Sequence, residues 1–413
     1  MPVDLLIKHA RVVDGSGLPG YMADVAVQDG RIAGIGRIDD SAKRTIDAEG
    51  LALAPGFIDQ HTHMDAHLLW DPVALPLPEH GVTTIVTGNC GLSLMPAVPG
   101  QESHLIGNFV RVEGIPREIL NSVEWRWMST ADYLGVLAER LGVNVASMVG
   151  HNAIRQCVMG DDSTEREATA EEVDEMCQLL RQAMRDGAIG MSTNRNPRHF
   201  REDKKPLPSR LAAPGELLRL AGVMAEFNAG MLQHSAPRAR DDAYFDSIAE
   251  LGDAAGRPVI YSSINYDPKH PDQYRKHLSN AERVARPGRR LYANTNIVPF
   301  ANYFTLRNSQ FFDELASGIQ VFGQPVEQRR RAIQDPAFRD QLRSEYTPFF
   351  RGRITTLKIV ETRLPEHRHL EGKTAQQAAP LLGCADPLDL VFDLSLAEDL
   401  ERYSPPQRPS PTK

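Results

Sequence analysis

The chain has 413 residues, 41% of them hydrophobic, and a formal net charge of −8. That length can bury a large core and suits one big domain plus a smaller one. Acids and bases are mixed along it, which argues against a nucleic-acid partner, and no apolar run approaches the length of a membrane span.

The first fifty residues alternate apolar and polar. Leu5-Leu-Ile, Arg11-Val-Val, Asp24-Val-Ala-Val and Arg31-Ile-Ala-Gly-Ile-Gly read as short strands, with turns at Asp14-Gly-Ser-Gly and Asp29-Gly. The apolar run Leu51–Ile58, broken by Pro55 and Gly56, reads as a buried strand. After residue 55 strands alternate with helices, the pattern of a parallel sheet or barrel. Predicted strands are Phe57–His61, Thr83–Thr87, Val143–Val149, Ala188–Ser192, Met231–His234, Pro258–Ser262 and Leu291–Ile297. Helices are expected at Ala170–Arg185, with a Thr169/Glu172 capping box and a stop at Gly187, and at Gly215–Phe227 and Tyr244–Ala254. Residues 300–400 read as helices with one hairpin around Ile354–Val360. No eighth strand is evident. The segment 401–413 carries four prolines in thirteen residues and no periodicity. The expected organisation is a small β part over 1–54, a barrel over 55–400 and an irregular tail over 401–413.

The most telling stretch is Gly56-Phe-Ile-Asp-Gln-His-Thr-His-Met-Asp65, followed by Asn89-Cys90-Gly91. His61 and His63 are two apart, so on a strand both point to one side. Together with the thiol of Cys90 they suit a metal ion. The plainer readings are two surface histidines and a small buried thiol. His151 and His234 follow or end other predicted strands, so the topology carries them toward the same rim. The four cysteines (Cys90, Cys157, Cys177, Cys384) show no paired spacing, and Met1–Lys8 lacks a basic segment followed by an apolar core. A reducing, cytoplasmic protein without disulfides or signal peptide is expected.

These motifs resemble the amidohydrolase superfamily, and more narrowly its N-acyl-D-amino-acid deacylases. Asp4-Leu-Leu-Ile-Lys-His-Ala-Arg-Val-Val-Asp-Gly, Gly56–Asp65, Trp70-Asp-Pro, Gly81–Gly91 and Gly150-His-Asn-Ala-Ile-Arg155 carry the likeness. The insert Val112–Trp127, with Trp125 and Trp127, is similar to the branch acting on N-acyl-D-aspartate and D-glutamate. The resemblance implies a metal-dependent (β/α)8 TIM-like barrel, here lacking strand eight, and an N-terminal half of a β-sandwich. It implies one or two Zn2+ ions held by His61, His63, Cys90 and His234, with Cys90 in place of the bridging lysine that many relatives carry on strand four. It implies hydrolysis of the amide bond of N-acyl-D-amino acids by a metal-activated water.

Two departures stand against that pattern. Ser262-Ser263 occupies the place of a strand-six histidine ligand, and the family's strand-eight aspartate, its proton carrier, has no counterpart, which suggests a chain truncated near Arg402. Asp65 is the nearest substitute as catalytic carboxylate, with Asp267 behind it. His151 and Arg155 are candidates for substrate binding, the guanidinium suiting a carboxylate, with Arg195 and Arg198 as equals. A helix-opening histidine and solvated arginines are the plain alternatives. The partner is then a small molecule, with no nucleic acid or membrane. An open barrel edge leaves a homo-oligomer in play. A cyclic amidase or deaminase of the same superfamily, and a non-catalytic metal-binding remnant, are the competing readings.

Overall fold

The computed structural model describes residues 2–400 apart from 228, 236–240, 267–269, 296–302 and 308, and does not describe the Ser262 side chain. The tail 401–413 and Asp267 therefore lie outside the described residues. The chain divides into two compact units. One comprises Met1–Gln60, Val73–Ile85 and Gly142–Val145, and the other His61–Pro72, Val86–Leu141 and Ala146–Lys413.

In the first unit, β1 (Val3–Val12), β2 (Tyr21–Gln28), β3 (Arg31–Gly36), β4 (Ala42–Asp47) and β5 (Ala52–Leu53) form one five-stranded sheet of order β3-β2-β1-β4, with β5 also on β1. The two strands expected at 5–7 and 11–13 are one strand, because a register shift between Ile7 and Ala10 lets β1 bend without breaking. Asp29 and Gly30 both have positive φ (52° and 70°), the geometry that closes a tight β-hairpin. Ala10, Val12, Val25 and Ala48 make its small core. The buried strand expected over Leu51–Ile58 is not found. Leu51, Phe57 and Ile58 are each more than 60% exposed, and the run holds only the two-residue β5 and the start of a second short strand, β6 (Phe57–Asp59).

Parallel strands follow in sequence order. β6 pairs with β7 (Val82–Thr87), and β7 with β8 (Asn144–Ser147). Strands β7 and β8 begin in the first unit and end in the second. β9 (Val149–Gly150) continues β8 after a break at Met148, whose N–H donates to Thr87 O. From β9 the path runs through β10 (Gly190–Asn194), β11 (Met231–Ser235), β12 (Val259–Ser262) and β13 (Leu291–Ala293), every pair parallel. The seven predicted barrel strands are thus present in order, with strand three in two pieces. Among the described residues no further strand joins β6 or β13; Asn296 and Ile297, at the end of the predicted seventh strand, lie outside them.

Helices of the second unit alternate with strands along the chain. α1 (Glu102–Val112), α2 (Arg117–Asn121) and α3 (Thr130–Ala138) precede β8, and α4 (His151–Met159) and α5 (Ala170–Arg185) precede β10. α6 (Pro214–Ala225), α7 (Asp242–Ala255) and α8 (Gln273–Val284) alternate with the remaining strands. α5 has the predicted bounds because Thr169 and Glu172 cap its first turn reciprocally. The C-terminal region is helical: α9 (Ala316–Phe322), α10 (Val326–Gln334), α11 (Pro336–Ser344), α12 (Pro348–Thr356), α13 (Ala375–Ala378) and α14 (Pro387–Ala397). Phe312, Phe322, Phe350 and Phe392, all fully buried, form its core. The hairpin expected near Ile354–Val360 is replaced by the end of α12 and a single bridge, Lys358 to Thr374. Among the described residues no helix is long and apolar enough to cross a membrane.

Candidate metal centre

The site begins with a strained loop. β7 ends at Thr87, and Gly88, Cys90 and Gly91 then adopt positive φ (74°, 56° and 73°). For a cysteine this costs of order 1–3 kcal/mol and persists only where the surroundings impose it. Here they do. Gly88 N–H donates to Asp65 Oδ1 (2.9 Å), Cys90 N–H to Gln233 Oε1 (2.9 Å) and Gly91 N–H to Ser192 Oγ (2.8 Å). Asn152 Nδ2 donates to Gly91 O (2.8 Å). A Cβ on Gly88 would lie 2.0 Å from Met148 O, so the loop cannot be bulkier there. Strands β10 and β11 and helix α4 thereby fix one thiol in one place.

His61 and His63 meet that thiol. His61 Nε2 lies 3.2 Å from Cys90 Sγ, and the two imidazole rings are 5.5 Å apart, edge to face. One donor atom from each of His61, His63 and Cys90 falls within 4.8 Å of the others. The histidines do not stand on a strand as expected. β6 stops at Asp59, and both sit in the loop beyond it, tied back where Thr62 N–H and Oγ1 bond Val86 O.

The electrostatics suit a cation. Burial pushes His63 down to about 4, so its ring is neutral and keeps a lone pair. Its Nδ1 is buried without a hydrogen-bond partner. Burial, then the charge of Glu113, pushes the Cys90 thiol up to about 12. A bound dication reverses that preference, because it stabilises the thiolate directly. Two carboxyl groups adjoin the donors. Asp65 is 1% exposed, and burial pushes it up to about 7; its Oδ1 takes the Gly88 N–H and its Oδ2 has no partner. Glu113 has its Oε1 3.5 Å from His63 Nε2, and burial pushes it up to about 7 although a fifth of its side chain stays open. A separate cavity of about 240 Å³, lined by Trp70, Glu124, Arg126 and Arg140 among others, has none of the three donors in its wall.

Residues 44–334 match the profile of the amidohydrolase family. The chain belongs to that family. It is 43% identical over 195 residues to a D-aminoacylase of Alcaligenes xylosoxydans xylosoxydans, a match covering 46% of this chain and 38% of the relative. It is 42% identical over 193 residues to an N-acyl-D-aspartate deacylase of the same organism, covering 46% and 36%. The chain therefore matches less than two-fifths of the length of either relative. A solved N-acyl-D-glutamate deacylase of Bordetella bronchiseptica, complexed with zinc and a phosphonate inhibitor that mimics the tetrahedral intermediate, is similar with a TM-score of 0.64 and 25% identity; the likeness covers 96% of this chain and 70% of that one.

The remaining predicted site residues of this amidohydrolase fall elsewhere. His234 is not in the three-donor group. Side chains alternate along β11, and Gln233, bonded to Cys90 N–H, takes the Cys90 side together with Ser235, which hydrogen-bonds the thiol. His234 is thereby turned to the other face, against Tyr244 of α7, with its ring 5.6 Å away. His151 and Arg155 are both 0% exposed. His151 Nδ1 pairs with Thr193 Oγ1 (2.9 Å) and Nε2 with Glu216 Oε1 (2.8 Å). Arg155 donates to Glu216 Oε2 and to Arg166 O (3.0 Å). This is a buried ion cluster with no atom open to a substrate, because Glu216 of α6 has taken the place a substrate carboxylate was expected to fill. His151 opens α4, the plain alternative. Arg195 donates to Ala212 O, and burial lowers both Arg195 and Arg198. Ser263 accepts from Asn265 Nδ2 (3.0 Å). Sequence reasoning missed Glu113, Gln233 and Glu216. Only Glu113 carried a signal, as an acid in the insert already singled out.

Proposed function

We propose that the chain is a metal-dependent hydrolase of the amide bond of N-acyl-D-amino acids, with D-aspartate and D-glutamate derivatives as its substrate class. The observation that carries the reading is the convergence of two imidazoles and one thiol, one donor atom of each lying within 4.8 Å of the others. That donor set fits a tetrahedral zinc ion with a fourth position open to substrate or water. His61, His63 and Cys90 would hold one ion. When bound, such an ion lowers the pKa of water and polarises a carbonyl.

The chain's own groups do the rest. Asp65, with a carboxyl near neutral pKa and a free Oδ2, is suited to hold a proton at that atom. The names and bound ligands of the relatives support the substrate class. Four unpaired cysteines fit a reducing, cytoplasmic setting.

The test is release of free D-amino acid from N-acetyl-D-glutamate, N-acetyl-D-aspartate and a neutral analogue by the zinc-loaded chain. Turnover of an acidic substrate, lost in Cys90→Ala, is expected. Absence of turnover with every N-acyl-D-amino acid, at full zinc occupancy, contradicts the reading.

A further inference from the structure

The connection after β10 carries a guanidinium without a counter-charge of its own. Arg198 is half-buried, and among the described residues no carboxylate or carbonyl accepts from its side chain. Other cations of the same connection are engaged. Arg195 donates to Ala212 O, Arg201 pairs with Asp203 (3.1 Å), Lys205 with Glu165 (2.6 Å), and Arg210 Nη1 donates to His199 O (2.9 Å). Burial, then the charge of Arg353, lowers Arg198. The acid whose charge acts on it, Glu314, already accepts from Arg353 Nη1 (2.7 Å).

The connection is held at both ends. Glu202 N–H donates to Gly107 O of α1 (3.0 Å), Arg117 Nε donates to Glu202 Oε2 (2.7 Å), and Phe200 bridges Pro206. The same helix is capped by Glu113, 3.5 Å from His63 Nε2. At its start the connection is pinned by Asn194, whose Oδ1 accepts from Asn196 N–H (2.8 Å) and whose Nδ2 lies 2.7 Å from His199 Nδ1. Asn194 backs onto the Cys90 turn, since a Cβ on Gly91 would come within 3.4 Å of Asn194 N. The charges of both Arg198 and His63 act on the His199 ring. Arg198 thus belongs to the surroundings of the metal centre without being one of its donors.

A guanidinium presents a planar fork that matches a carboxylate through two parallel N–H donations. Partly withdrawn from water and unpaired, it gains from an anion that arrives with the substrate. Every N-acyl-D-amino acid carries a carboxylate a few bonds from the scissile carbonyl, and the aspartate and glutamate derivatives carry a second. Of the arginines that the sequence offers for that task, Arg155 is taken by Glu216 and Arg195 by Ala212 O. We propose that Arg198 binds a carboxylate of the N-acyl-D-amino acid and so holds the substrate at the metal centre. The proposal rests on the reading of the chain as a hydrolase of that substrate class.

The experiment is steady-state hydrolysis of N-acetyl-D-glutamate and N-acetyl-D-leucine by the zinc-loaded full chain, in the parent, Arg198→Ala and Arg198→Lys. Thermal unfolding checks that each variant folds, and Co2+ titration of metal-free samples checks the centre. Arg198→Ala is expected to raise KM so that kcat/KM falls by roughly 10- to 100-fold with kcat little changed, because the lost contact is made equally in the ground state and the transition state. Arg198→Lys, which keeps the charge and loses the fork, is expected to fall less. Co2+ affinity is expected to be parent-like in both. An equal fall with the two substrates assigns the contact to the carboxylate they share, and a fall confined to N-acetyl-D-glutamate assigns it to the acidic side chain. Parent-like KM for both substrates in Arg198→Ala overturns the proposal and leaves the hydrolase reading in place. So does a fall in kcat alone, or a loss of Co2+ binding that runs with the loss of activity, since either marks a structural role. A parent that turns over neither substrate overturns the hydrolase reading, and with it the proposal.

Discussion

Two of the buried polar clusters in the second unit are built on opposite terms. The one around His151, Arg155 and Glu216 is nearly closed. Both ring nitrogens of His151 and both oxygens of Glu216 are bonded, and Arg155 leaves only its Nε without a partner. The one around His61, His63, Cys90, Asp65 and Glu113 leaves His63 Nδ1 and Asp65 Oδ2 unpaired in a buried setting and holds Cys90 in a left-handed conformation. A buried polar atom without a partner costs about 1–3 kcal/mol. The open cluster, with its strained thiol, is the one proposed above as the metal centre. Histidine and carboxylate occur in both and do not separate the two clusters. Satisfaction of hydrogen bonds does.

The sharpest way to break this comparison is to disturb each cluster and read both stability and metal binding. Glu216→Ala strands Arg155 and His151 in the interior and is expected to cost about 3–5 kcal/mol of stability. Metal affinity of the molecules that remain folded should stay within about twofold by the same logic, since none of the three donors is touched. Denaturant unfolding and a Co2+ titration on one preparation check both. A large drop in affinity without a stability loss contradicts the division of roles.

Gly88→Ala should do the reverse in kind. The new methyl meets Met148 O at 2.0 Å on a backbone of φ 74°, so the loop must shift and carry Cys90 with it. The cost is expected at about 1–3 kcal/mol for strain of this type, with metal affinity falling more steeply than stability. Unaltered Co2+ binding in a folded Gly88→Ala would show that the loop's conformation does not set the thiol.

The smallest effect concerns the start of α5, where Arg166, whose carbonyl accepts from Arg155, also pairs with Glu172. Hydrogen bonds from Arg166 pull Glu172 down to about 2, from the 4.5 of an ordinary glutamate. A carboxylate with a depressed folded pKa stabilises the fold fully above its unfolded pKa and loses that contribution as pH falls through its folded one. Glu172 should thus support the fold above about pH 4.5 and lose its effect between about 4.5 and 2. Arg166 is nearly half exposed, so solvent screening keeps the worth of the pair small. The stability difference between parent and Glu172→Gln, followed by urea unfolding at pH 7 and again below pH 4, should shrink on acidification. A difference independent of pH contradicts the assignment.

The comparison also marks what could be read from the sequence. The alternation of strands and helices was readable because each element carries its own period and stops, as Thr169 and Glu172 do for α5. The grouping of His61, His63 and Cys90 was readable because they lie within thirty residues on two consecutive βα connections. What failed were inferences needing knowledge of facing. His234 was expected at the rim with Cys90, but which of Gln233 and His234 faces Cys90 depends on the register of β11 against its neighbours, and one residue of parity reverses it. Arg155 and His151 resembled substrate contacts because their counter-ion, Glu216, lies about sixty residues away on another helix. Phe57 and Ile58 looked buried because hydropathy says nothing about what covers a strand. Glu113 was passed over because a helix end meets His63 only through a tertiary contact fifty residues apart.

The central proposal is that Cys90, His61 and His63 form a metal centre without His234. The most direct measurement is the near-ultraviolet thiolate-to-cobalt charge-transfer band on adding Co2+ to the metal-free chain, in the parent, in Cys90→Ala and in His234→Ala. A band in the parent, none in Cys90→Ala, and a parent-like band in His234→Ala are predicted. A parent without the band, or a band abolished in folded His234→Ala, contradicts the account.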